Sequence, residues 1–318
     1  MPRLDWKVLV VLLALIWGLN FLEIRVAVLV FPPLLVTLGR LVLASTTVLA
    51  VLVASRQKLP RNLRTWAHIA VAALLCNSAP YALFAWGETE VSSVLAGILN
   101  AITPLMTVVA AAAFLPEERP GRSRLLGFAI GLAGVAIVVD PFGGVAAPSL
   151  KGALALLAAT ACYGLGYVYV RRNLAQGIEG AVSLAGAQML AATVEVAFLT
   201  PFVAGMPNHV PAAALIALVV LGVAGTGVGY ILQYAIVRAT GATTSSLVLY
   251  LTPIVSTAAG VVLLGERLAW SQPAGAVVIL AGVALAQGRV PAFLTRSHRT
   301  LTGEATEIGA VAVAGDEV

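Results

Sequence analysis

Apolar stretches of about twenty residues recur along the whole chain, each long enough to carry an α-helix across the ~30 Å hydrocarbon layer of a bilayer. Ten are read, near 7–28, 33–54, 66–87, 91–115, 123–140, 151–170, 181–203, 211–234, 242–264 and 272–288. Composition excludes a water-soluble globule: of 318 residues 60% are hydrophobic and only 10% are charged, and the mean hydropathy is +0.99. A backbone in lipid must satisfy its own hydrogen bonds, so helices or a closed barrel are the alternatives. The period-two alternation of barrel strands is absent, which predicts an all-α integral membrane protein of ten transmembrane helices. Although the first run follows Arg3 and Lys7, no Ala-x-Ala cleavage site follows it and Trp17-Gly18-Leu19-Asn20 continues it, so it reads as an uncleaved helix. Cys76 and Cys162 both fall inside spans and read as small buried apolar residues, not as a disulfide.

The net charge of +5 is distributed in a way that points to the membrane and away from nucleic acid. Fifteen of the nineteen Lys and Arg fall in the N-terminus, in alternate loops and in the tail, whereas the opposite loops and span ends hold only Arg25, Lys151 and Arg267, and Arg40 lies within the second span. By the positive-inside rule both termini are predicted to be cytoplasmic, which requires an even number of spans and agrees with ten. The bilayer of a bacterial-type inner membrane is the expected setting.

The chain also repeats itself. Ile102-Thr103-Pro104-Leu105 is echoed by Leu251-Thr252-Pro253-Ile254, 149 positions on, while Glu118-Arg119, Gly127 and Gly134 match Glu266-Arg267, Gly275 and Gly282 at 148, a single inserted residue near Pro116 accounting for the change. Upstream, Trp17-Gly18 and Arg25 match Tyr163-Gly164 and Arg171, and Tyr81 matches Tyr230. Each copy holds five spans, an odd number, so the second enters the membrane from the opposite side. The predicted organisation is a first repeat over 1–140, an inverted second repeat over 141–288 and a flexible cytoplasmic tail over 289–318. Inverted repeats give two pseudo-equivalent arrangements of the halves, one open to each side, and that is the physical basis of alternating access in secondary transporters.

Trp-Gly in the first span, then Pro, then Gly-Glu-Arg followed by two Gly seven residues apart, once per half, resembles the EamA family of the drug/metabolite transporter superfamily. Pro116-Glu117-Glu118-Arg119 departs from the Gly265-Glu266-Arg267 of the second half. The resemblance implies ten helices, a central cavity between the halves and a small-metabolite substrate, often an amino acid leaving the cell, with the exporters of aromatic amino acids as the nearest functional type.

The residues themselves suggest where a solute would sit. All seven tyrosines lie within spans and not in interfacial belts, and a phenol at that depth needs a hydrogen-bond partner or a wet cavity. Tyr163 and Tyr167 share a helix face, as do Tyr230 and Tyr234, and Trp17 with Asn20. An aromatic-lined substrate site is therefore predicted from Trp17, Tyr81, Tyr163, Tyr167, Tyr230 and Tyr250, with Asn20, Asn100 and Gln233 as amides able to bond a carboxylate and an ammonium without carrying charge into the membrane. Interhelical bonds are the competing role for such amides, Asn77, Ser78 and Gln188 included, and gap filling for the aromatics. Trp6, Trp66, Trp86 and Trp270 read as belt anchors.

Glu23, Arg40 and Glu195 are the ionisable groups read within spans, all toward the outer half; Glu23 with Arg40 reads as a pair, and a gate salt bridge or a simple interfacial position is expected ahead of a proton-coupling role for Glu23 or Glu195. Pro80, Pro104 and Pro253 each delete a helix hydrogen bond and are the predicted hinges. Gly127 and Gly131 form a G-x-x-x-G that predicts close helix packing, with homodimerisation as a second use and no requirement for a dimer. His68, His209 and His298 have no second ligand at metal spacing, and neither a His-Glu-x-x-His, a Walker loop nor a Gly-x-Ser-x-Gly is present, so no cofactor, metal or catalytic group is expected. The leading expectation is a secondary exporter of amino acids or similar small metabolites; a permease for another metabolite or drug-like solute and a non-transporting scaffold are the alternatives.

Overall fold

The computed structural model describes residues 5–115, 121–140, 148–174, 180–203, 205, 207–245 and 247–288. The tail expected over 289–318 and the Glu118-Arg119 pair lie outside them. Every regular element among the described residues is helical: α1 (Trp6–Val28), α2 (Pro33–Ala54), α3 (Leu63–Ala73), α4 (Ala79–Glu90), α5 (Ser93–Asn100), α6 (Thr103–Phe114), α7 (Arg122–Val139), α8 (Leu150–Asn173), α9 (Ala181–Val203), α10 (Ala212–Val220), α11 (Gly229–Ser245), α12 (Val248–Leu264) and α13 (Ser271–Ala286). A π-helical stretch, Leu74–Ser78, joins α3 to α4, and another, Leu221–Val228, joins α10 to α11. With α5 and α6 taken as one span, the described residues hold ten apolar helical segments: eight long enough to cross a membrane, and α12 and α13, of 17 and 16 residues, which are shorter.

Polar side chains at the interfaces start these helices where the apolar runs begin. Asp5 accepts from the Lys7 N–H at 3.1 Å, Asn62 from that of Arg64 at 2.9 Å and Ser92 from that of Leu95 at 3.2 Å, each satisfying a donor that the first turn leaves open. One boundary differs from expectation. The apolar runs place the end of the eighth span near 234 and the start of the ninth near 242, yet α11 continues to Ser245, and the Thr240 hydroxyl donates back to the Ile236 carbonyl at 3.0 Å instead of competing with the helix.

The prolines divide differently from the prediction. The fourth span is broken at Ala101–Ile102 and restarts with Pro104 in the first turn of α6; the Asn100 carbonyl that Pro104 cannot bond is taken by the Thr103 hydroxyl at 2.8 Å. Its repeat partner Pro253 sits inside an unbroken α12. Pro80 follows the first π-helical stretch, but the equivalent stretch in the eighth span is followed by Gly229, so the widened turn belongs to the repeat and not to the proline.

The halves are interlocked, not laid side by side. A Cβ on Gly18 of α1 would lie 2.4 Å from Val255 of α12, and a Cβ on its repeat partner Gly164 of α8 would lie 2.6 Å from Met106 of α6; Met106 and Val255 are themselves equivalent. Each half thus docks its first span on the fourth span of the other. The fifth spans, α7 and α13, pack along their full length through Gly127, Gly131, Gly134, Gly275 and Gly282: a Cβ on Gly282 would meet the Gly131 nitrogen at 2.5 Å and the Gly127 carbonyl at 2.6 Å. The G-x-x-x-G is therefore occupied within one chain. In lipid no hydrophobic force draws helices together, and such small-residue approaches provide the dispersion contacts that do.

A polar tie adds to this. The Glu266 carboxylate after α12 accepts from the Ser93 N–H at 2.9 Å, the Ser93 hydroxyl at 3.0 Å and the Val94 N–H at 3.0 Å, seating a negative charge on the N-terminus of α5 from the opposite repeat.

Gly282→Val is expected to lower the thermal unfolding midpoint in detergent by about 3–10 °C through overpacking, whereas Gly121→Ala, which meets nothing within 4 Å, leaves it unchanged. Glu266→Ala is expected to cost about 2 kcal/mol or more and Glu266→Gln less, since the amide oxygen still accepts from the helix end; equal midpoints for wild type and both variants would show that this carboxylate ties nothing.

Candidate functional site

The two π-helical stretches set the site because they turn polar groups out of the helix register toward the space between the repeats. The first presents Asn77 and Ser78, the second Gly225 and Thr226, all buried. Asn20 of α1 donates from Nδ2 to the Gly225 carbonyl at 3.4 Å, and a Cβ on Gly225 would fall 2.2 Å from Asn20 Oδ1, so only glycine admits this approach. Thr226 Oγ1 accepts from Arg40 Nε at 2.7 Å and donates to the Leu221 carbonyl at 3.0 Å.

Beside these groups lies a cavity open at one mouth, with about 660 Å³ of empty space when the mouth is included. Its wall is built from repeat-equivalent residues: Trp17 and Tyr163, Tyr81 and Tyr230, Asn100 and Leu249, Thr103 and Thr252 all line it. A cavity lined by equivalent residues of both halves lies on the pseudo-twofold axis that relates them. Phe21, Phe84, Tyr163 and Tyr167 form a continuous aromatic wall, with ring centroids 5.7, 6.2 and 6.0 Å apart in succession and the last pair stacked at 11°. Tyr167 is 47% exposed and so forms part of the mouth.

Seven of the nine residues expected to bind substrate line this cavity: Trp17, Asn20, Tyr81, Asn100, Tyr163, Tyr167 and Tyr230. Gln233 and Tyr250 do not. Tyr250 turns away to donate to Gln287 Oε1 at 3.0 Å, and Gln233 lies one turn beyond Tyr230 with its Oε1 buried and unpartnered. The expected Glu23–Arg40 pair gives way to other contacts: the Arg40 guanidinium bonds Thr226 and lies 3.7 Å over the centre of the Tyr81 ring, while Glu23 Oε2 is buried without a hydrogen-bond partner. Glu195 accepts from the Ser78 hydroxyl at 2.6 Å.

Several lining residues escaped the sequence reading. Phe21 lies one helical turn after Trp17 and Ile24 one turn later, a face that the periodicity already implied. Thr103 and Thr252 could have been flagged by the repeat, each preceding its matched proline. Arg40, read as a gate, lines the cavity and is the one charged side chain among the described residues that do so. Glu88, a residue past the span read from sequence, is fully buried with both carboxyl oxygens unpartnered; the Arg25 guanidinium beside it bonds its main-chain carbonyl instead.

The chain matches the model of the EamA-like transporter family twice, over residues 5–140 and 150–287. It is 30% identical over 283 residues, 88% of this chain and 92% of the other, to a probable terminal-alkyne amino-acid exporter of Streptantibioticus cattleyicolor. To a probable amino-acid metabolite efflux pump of Salmonella typhimurium it is 25% identical over 283 residues, 86% of this chain and 92% of that one. A solved crystal structure covering 90% of this chain and 97% of its own superposes with a TM-score of 0.62 at 22% identity, which shows a shared fold. Two family matches in tandem, ten helical spans and a cavity between interlocked repeats lead to one conclusion: the chain belongs to the EamA-like transporter family and is a multi-pass membrane transporter of a small molecule.

Proposed function

We propose that the protein is a secondary exporter of amino acids, aromatic and neutral ones foremost, residing in a bacterial-type inner membrane with both termini cytoplasmic and working by alternating access. The observation that carries this reading is the cavity walled by Trp17/Tyr163 and Tyr81/Tyr230, one member of each pair from each repeat. A rocking of one repeat against the other exchanges the roles of equivalent residues, so a solute bound among them meets nearly the same surroundings whichever side is open. Trp17, Asn20, Tyr81, Asn100, Tyr163, Tyr167 and Tyr230 are the proposed substrate contacts. The break before Pro104, the π-helical turn before Pro80 and the missing N–H of Pro253 are the proposed points of bending, because each already lacks a regular helix bond. The names borne by the two exporter relatives support an amino-acid substrate. A permease for drug-like cations is disfavoured by Arg40, the charged group on the wall.

Proteoliposomes of the wild type are expected to take up a subset of labelled amino acids saturably, with aromatic and neutral ones ahead of charged ones and of a sugar. Trp17→Ala is expected to reduce that uptake at least about ten-fold by removing the largest apolar face of the site. Uptake of none of these solutes, with or without a pH gradient, would refute the amino-acid reading.

A further inference from the structure

The cavity holds a positive charge and no negative one. Arg40 is 7% exposed, gives its Nε to Thr226, and finds no protein acceptor for its terminal nitrogens among the described residues. Glu23 of α1 and Glu88 of α4 lie within range of its field, but neither bonds it nor lines the cavity. A guanidinium desolvated in this way is destabilised unless an anion reaches it, and its planar fork matches a carboxylate.

The hydroxyl groups of the repeat-equivalent pair Tyr81 and Tyr230 are set up in the same sense. Gln188 of α9 donates from Nε2 to Asn77 Oδ1 at 2.5 Å, which fixes the orientation of the Asn77 amide. Asn77, wholly buried, then donates its two Nδ2 hydrogens to the Tyr81 hydroxyl at 3.2 Å and the Tyr230 hydroxyl at 3.0 Å. A phenolic oxygen that is already accepting has its own hydrogen left to give, and neither tyrosine donates to a described protein group. Two O–H donors held on one nitrogen, together with the Arg40 fork beside the Tyr81 ring, offer the cavity a set of hydrogen-bond donors.

We propose that the solute is held by a carboxylate, bound by Arg40 with the Tyr81 and Tyr230 hydroxyls. This rests on the reading of the cavity as the transport site and names the group it recognises. Asn77 and Gln188 are positioning residues: they touch the tyrosines and aim their hydrogens. Because Tyr81 and Tyr230 belong to different repeats, the carboxylate is gripped by both halves.

The test uses the purified full-length protein and measures binding by thermal stabilisation, independent of transport. The probes are matched sets: phenylalanine, 3-phenylpropionate, phenylethylamine and phenylalaninamide, with valine, isobutylamine and valinamide alongside. The wild type is expected to bind at least one carboxylate of a set at least ten-fold more tightly than its amine or amide. Tyr230→Phe, which removes one oxygen and leaves packing intact, should weaken that carboxylate about three- to ten-fold, and Arg40→Gln at least ten-fold, while Arg40→Lys retains part of the affinity. An amine or amide binding as tightly as its carboxylate, no carboxylate binding at all, or unchanged affinity in folded Tyr230→Phe would each overturn the proposal. Binding of 3-phenylpropionate but of no amino acid would uphold the carboxylate site and remove the amino-acid reading.

Discussion

The exchange of partners between the two halves is the constraint on which the rest of the structure depends. Because α1 docks on α12 and α8 on α6, neither repeat completes its own bundle. The contacts that permit this are close, at Gly18, where a single methyl group would collide with the Val255 side chain, and at Gly164 and along the α7–α13 seam, where it would collide with main-chain atoms. In a bilayer those approaches are the chief source of helix association, so the glycines that mark the repeat are also what fastens it. The Glu266 tie to the N-terminus of α5 joins the same two halves through charge and helix dipole.

From that interlock the cavity follows. First spans that cross to the other half bring Trp17 and Tyr163 to one cavity, and the paired π-helical turns set Asn77 against the Tyr81 and Tyr230 hydroxyls and Thr226 against Arg40, three residues that line it. Helices with regular hydrogen bonding would point those side chains into a helix neighbour. The widened turns are the local departure that lets an apolar bundle present hydrogen-bond donors in its centre. The same departures, with the Asn100 carbonyl satisfied by a hydroxyl instead of an amide, leave the third, fourth and eighth spans as the ones least held by their own backbone.

Much of this was legible in the chain. Ten apolar runs, the offset of about 148 residues and the odd span count gave the class and the inversion, since length and hydropathy act on each span separately. Pairing the repeats also pointed to the cavity: the equivalent pairs Trp17/Tyr163 and Tyr81/Tyr230 are aromatic in both copies and all four line it. What the sequence did not disclose depends on register and depth. Tyr250 looks like any other mid-span tyrosine, and only the packing of α12 turns it to Gln287. Glu23 and Arg40 look like an ion pair, and only the turn at Thr226 and the Tyr81 face draw the guanidinium away. Matched prolines suggested matched hinges, yet Pro104 opens a new helix and Pro253 lies inside an unbroken one; the Thr103 hydroxyl takes the Asn100 carbonyl that Pro104 leaves free, whereas the equivalent Thr252 bonds Val248.

Access to the cavity from both faces is the claim that holds this account together, and it can be measured on one residue. With Cys76 and Cys162 replaced by alanine, a cysteine at Leu249, which lines the cavity, is exposed to a membrane-impermeant maleimide in right-side-out and in inverted vesicles. Alternation between two states predicts labelling from either side, slowed from both by a saturating transported amino acid. Labelling confined to one face under every condition would contradict it and leave a static bundle with a one-sided pocket.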